Sequence, residues 1–145
     1  MPPRQLMVFR IGCIATLLTA AVHLVAHVSG GLKPGNDTET KVLELATSYK
    51  FALPGGAHRS LMDFDAGYSL SFAMLIGTMG VTGLVVLKRG REDRQLMLGV
   101  ARTFALASFV LSIIALTHFF IVPAMCLVLM WVCFAISSVA SPEST

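Results

Sequence analysis

Residues 61–87 read LMDFDAGYSLSFAMLIGTMGVTGLVVL. Beyond Asp63 and Asp65 the stretch carries no charge. A helix needs ~20 apolar residues to cross a bilayer, so this run predicts a membrane span. Three more runs have the same character, at 7–29, 96–119 and 123–140. Four spans in one short chain predict an all-α integral membrane four-helix bundle.

Composition agrees. The 145 residues are 55% hydrophobic and 13% charged, with a mean hydropathy of +0.76. Soluble domains carry about a quarter charged residues. The formal charge of +3 is small and its basic residues sit beside the apolar runs. That placement suits membrane topology rather than nucleic-acid binding, so no nucleic-acid partner is expected. The first run follows Arg4 and Arg10 as a signal peptide would, but it is long enough to span and no small-residue cleavage site follows; it is read as a retained helix. Cys13, Cys126 and Cys133 all lie in apolar runs without a CxxC pair, and read as buried small hydrophobes.

Positive charge sets the orientation. Arg4 and Arg10 flank the start of the first span, and Lys88, Arg89, Arg91 and Arg94 crowd the link between the second and third. The first loop dilutes Lys33, Lys41, Lys50 and Arg59 over some thirty residues that also hold the acids Asp37, Glu39 and Glu44. Both termini are therefore expected on the cytoplasmic side, with the first loop and the 119–123 hairpin outward. The tail from Ser141 is expected to fray.

The first loop has its own order. Gly30, Gly31, Pro34 and Gly35 break the first helix, and Asn36 with Glu39 forms an N-cap pattern. Val42, Leu45, Ala46 and Tyr49 then repeat at helical spacing, and Pro54, Gly55 and Gly56 close the segment. This predicts an amphipathic helix over 37–50 that lies on the membrane surface or caps the bundle as a lid.

Each span also has a stripe of small or polar residues, the pattern that lets membrane helices approach closely. The stripes are Gly12, Thr16, Thr19, His23, His27; then Asp63, Gly67, Ser71, Met74, Thr78; then Ala101, Ala105, Ser108, Ser112, Ala115, His118; and finally Cys126, Met130, Cys133, Ser137. Gly77, Gly80 and Gly83 form a neighbouring edge on the second span, through which copies of the chain could associate.

An ionisable side chain in a span is costly and marks a functional site by default. His23 and His27 lie near the outer end of the first span, His118 at the outer end of the third, and Asp63, Asp65 and Tyr68 at the outer start of the second. His58 just precedes them. The candidate catalytic residues are His23, His27, Asp63 and Asp65; the candidate substrate contacts are Thr19, His58, Tyr68, Thr117 and His118. Each has a structural alternative. The histidines would tie helices together, and Ser60 with Asp63 would form a helix cap.

The pieces His23-Leu-Val-Ala-His27, Met62-Asp63-Phe64-Asp65-Ala66-Gly67-Tyr68-Ser69-Leu70-Ser71-Phe72 and His118-Phe119-Phe120-Ile121-Val122-Pro123 resemble an uncharacterised family of small bacterial four-span membrane proteins. The resemblance implies a four-helix bundle in a bacterial inner membrane and carries no activity. In architecture alone the layout is similar to DoxX-like proteins and to the EXPERA group.

Three functions follow as expectations. The first is a general acid–base enzyme on a lipophilic small molecule, with a histidine as base and an aspartate orienting it. The second is a non-catalytic membrane subunit or lipid-binding protein. The third is a haem or metal site, with His27 and His118 as axial ligands or His23, His27 and an aspartate around zinc or iron.

Overall fold

The computed structural model describes residues 1–30, 33–90, 92–119 and 121–139. Five helices and one small hairpin follow in chain order: α1 (Pro3–Val28), α2 (Asp37–Ser48), β1 (Lys50–Ala52), β2 (His58–Ser60), α3 (Leu61–Arg89), α4 (Arg94–His118) and α5 (Ile121–Ser138). The four long helices are each apolar and long enough to cross a membrane. They lie within two residues of the predicted spans except at the start of α1, which extends back to Pro3. Proline is pre-organised for a first helical turn, where its missing N–H costs nothing. Asp93 caps α4 by accepting the Leu96 N–H at 2.9 Å. The expected end of the fourth span at Ala140 and the tail beyond it lie outside the described residues.

The chain divides into two compact units. The first comprises residues 1–20 and 75–145, and holds segments of all four long helices. Its centre is aromatic. Phe9 stacks on Phe104 at 6.3 Å, and Phe134 meets Phe9 at 5.6 Å and Phe104 at 5.3 Å, both edge-on. Phe9 and Phe134 are fully buried. Small residues let the helices reach this cluster: a Cβ on Gly12 would stand 2.9 Å from the Phe134 ring. The amide of Gln5 near the start of α1 donates to the Val139 carbonyl just past α5 at 2.8 Å.

Buried hydroxyls in a span must find partners, because lipid supplies none. Thr16 donates to the Gly12 carbonyl, Ser112 to Ser108 and Ser137 to Cys133, each at 2.7 Å. These hydroxyls are satisfied inside their own helices. Three predicted stripes do face the interior: Gly12 and Thr16 on α1, Ala101, Ser108, Ser112 and Ala115 on α4, and Met130, Cys133 and Ser137 on α5 are buried.

The stripe predicted for α3 is corrected. Asp63, Gly67, Ser71, Met74 and Thr78 are all exposed, while Ala73, Ile76, Gly80 and Gly83 are buried on the nearly opposite face. Close approach decides this, since glycine, lacking a Cβ, admits a neighbouring helix closer than any side chain does. A Cβ at Gly80 would stand 2.7 Å from Leu17 Cγ, and one at Gly83 would overlap Cys13 Sγ. The Gly77, Gly80, Gly83 edge packs against α1 of the same chain.

The second unit covers residues 21–74. Asn36 caps α2 by accepting the Glu39 N–H at 2.9 Å, and the Glu39 carboxylate returns to the Asn36 amide at 2.8 Å. The helix stops at Ser48, short of the predicted residue 50, because Tyr49 turns to extended backbone. A hairpin that the sequence reading did not anticipate follows, pairing Lys50 with Ser60, Phe51 with Arg59 and Ala52 with His58. Its loop is closed by the Leu53 N–H on the Ala57 carbonyl at 2.8 Å, and Gly55 and Gly56 take the positive φ angles it requires. No residue of α2 is buried.

Candidate functional site

His23 is the polar residue of the spans that the fold sets apart. It lies on the α1 face that carries Gly12, Thr16 and Thr19, is half-buried, and meets the Phe72 ring of α3 edge-on at 5.1 Å. Its Nε2 atom is buried and has no hydrogen-bond partner among the described residues. A buried unsatisfied polar group costs about 1–3 kcal/mol, so such atoms are few in folded proteins and ask for a reason. Phe72 carries no polar mark that would signal a site in the sequence, and the sequence reading missed it. His27, one turn further along α1, is also half-buried on this face. The hydroxyl of Thr19, one turn on the other side, donates to the Ala15 carbonyl at 2.8 Å.

The aspartates do not join these histidines. Asp63 accepts the Ser60 N–H at 2.8 Å, and its own N–H donates to Ser60 Oγ at 3.1 Å. This reciprocal cap fixes the start of α3, directly after the hairpin, and commits the carboxylate to backbone. Asp65 is exposed, and among the described residues no hydrogen bond links either aspartate to His23 or His27. Tyr68 is 74% exposed, and His58 sits exposed in β2 opposite Ala52.

In the first unit, Thr117 and His118 form a local pair. Thr117 Oγ1 lies 2.6 Å from His118 Nδ1, and both groups also reach back to the Ile114 carbonyl. Both are exposed at the end of α4.

Among the described residues, no group of three or more His, Cys, Asp or Glu side chains could hold a metal ion. An open, shallow groove on α2 is lined by Thr40, Leu43, Glu44, Thr47 and Ser48, and neither histidine of α1 lines it. The remaining candidate is a lone imidazole nitrogen in an apolar setting beside an aromatic ring. Such an atom can hydrogen-bond one polar group of an otherwise apolar partner. Comparison with family models, with curated proteins and with solved structures finds no match.

Proposed function

We propose that this chain is a multi-pass membrane protein that binds a lipophilic small molecule, with His23 as the hydrogen-bonding anchor for the molecule's polar group. The observation that carries the reading is the buried, unpartnered Nε2 of His23 beside Phe72. Ligand sites are mostly apolar with a few placed polar groups, and one imidazole in an apolar span fits that description. Binding is favoured over acid–base catalysis because Asp63, one of the two expected partner acids, is held by Ser60, and the other, Asp65, is exposed. An imidazole orients a ligand through one hydrogen bond, and among the described residues no carboxylate is hydrogen-bonded to His23 or His27 to complete an acid–base pair.

Protein purified in mild detergent and extracted with organic solvent tests the reading. Mass spectrometry is expected to find a lipophilic compound in the wild-type extract, reduced at least tenfold in a His23→Phe variant of unchanged helicity. Identical extracts from the two proteins would reject His23 as the anchor.

We further propose that the chain sits in a bacterial inner membrane with both termini cytoplasmic. Arg4, Arg10, Lys88, Arg89 and Arg94 support this, since basic residues near span ends favour the cytoplasmic side. A fluorescent-protein fusion at the C-terminus is expected to be bright, and an alkaline phosphatase fusion in the 53–57 loop active. The reverse pattern would invert the topology.

A further inference from the structure

The connection between α1 and α3 carries an apolar surface that the rest of the chain leaves uncovered. On α2, Val42 and Leu45 share one side at helical spacing, and Tyr49, the residue that caps the helix, follows four residues after Leu45; the three are 63%, 65% and 58% exposed. Phe51 follows in β1, 43% exposed, and its ring meets Tyr49 edge-on at 5.0 Å. We propose that α2 and the hairpin form an interfacial membrane anchor, with these four side chains embedded in the headgroup region of the bilayer that the long helices cross. The proposal rests on the spanning character of those helices and is independent of the ligand at His23.

Continuity favours the bilayer as occupant over another protein. β2 ends at Ser60 and α3 begins at Leu61, so the hairpin joins a span without a linker. At the other end, residues 29–36 separate α1 from α2, a tether of at most about 30 Å even if fully extended. Both ends therefore hold the segment near the membrane surface.

Charge is arranged to match. At 100° per residue, Asp37 and Glu44 fall on the side of α2 away from Val42, Leu45 and Tyr49. The Glu39 carboxylate is held by the Gly35 N–H and the Asn36 amide. Lys41 lies at the flank and Lys50 follows Tyr49. Arg59 pairs with Phe51 across the hairpin, so the two side chains leave the same face. Basic side chains beside buried apolar ones can reach lipid phosphates by extending their stems, and a tyrosine suits the boundary with one apolar and one wet end. Interfacial helices bury their apolar face about 5–10 Å deep by this combination.

The test uses the full chain in nanodiscs whose lipids carry bromine either near the headgroup or near the chain ends. Single tryptophans are placed by Leu45→Trp, Phe51→Trp and Glu44→Trp in a Trp131→Phe background. Headgroup-level bromine is expected to remove most of the emission of the first two probes and little of that of the third. Emission of Leu45→Trp and Phe51→Trp no more quenched than that of Glu44→Trp overturns the anchor, and this holds equally if a second copy covers the face. Native Trp131 reports separately on the span: quenching by chain-end bromine supports it, whatever the anchor probes show.

Discussion

Gly80→Leu is expected to destabilise the folded protein by about 1–3 kcal/mol, the range for forcing extra volume into a packed interior. The upper end applies here. A Cβ at this position stands 2.7 Å from Leu17 Cγ and 3.1 Å from the Cys13 carbonyl oxygen. The leucine can change rotamer, but the carbonyl moves only with the backbone of α1. In lipid this packing is a main source of helix association, because lipid tails offer apolar contact as good as leucine does. The measurement is the midpoint of unfolding in a denaturing detergent, followed by the reactivity of buried Cys13. Gly99→Leu serves as the control, because nothing stands within 4 Å of its added Cβ. A Gly80→Leu protein as stable as Gly99→Leu would show that α1 and α3 do not pack at this glycine.

Phe134→Ala is expected to cost about 2 kcal/mol or more. In a soluble core the loss for phenylalanine is about 3–5 kcal/mol, from lost transfer energy plus the cavity left behind. The transfer part weakens when the unfolded reference is also in lipid, while the cavity part persists. Phe134 is fully buried, touches both other rings of the cluster and sits over Gly12. Leucine at the same place refills part of the volume and is expected to recover about half of the loss. The same detergent titration measures both variants. Equal stability of the alanine variant and wild type would mean that the ring cluster is not the centre of the bundle.

The four long helices are legible in the sequence because an apolar run that crosses a bilayer has few other readings. The stripes on α1, α4 and α5 are legible because small residues there have no competing face. On α3 two candidate faces compete, and polarity points to the wrong one. Met74 is 71% exposed while Gly80 and Gly83 are buried, so the need for close contact with α1 outranks the presence of Asp63, Ser71 and Thr78. The hairpin was hidden by its length. Three residues per strand show no alternation, and only the Pro54-Gly55-Gly56 turn hints at it.

The placement of some candidate residues was legible in outline. His23 and His27 share the face that sequence spacing assigns them, and both are half-buried. Asp63 was marked by the same reading as either a site acid or a cap, and its hydrogen bonds with Ser60 are those of the cap. What spacing alone does not reveal is which imidazole nitrogen lacks a partner, because that depends on the neighbouring helix. Phe72 packs against the His23 ring and offers a ring rather than a hydrogen bond.

Nitrogen NMR of isotope-labelled imidazoles in nanodiscs tests the role of His23 most directly. Its signals are assigned by their loss in His23→Phe. Adding back the lipophilic extract of the wild-type protein is predicted to shift the His23 Nε2 resonance to a hydrogen-bonded position, while the signals of His58 and His118 stay in place. A His23 Nε2 resonance that is the same with and without the extract would contradict the assignment of this nitrogen as the ligand's anchor.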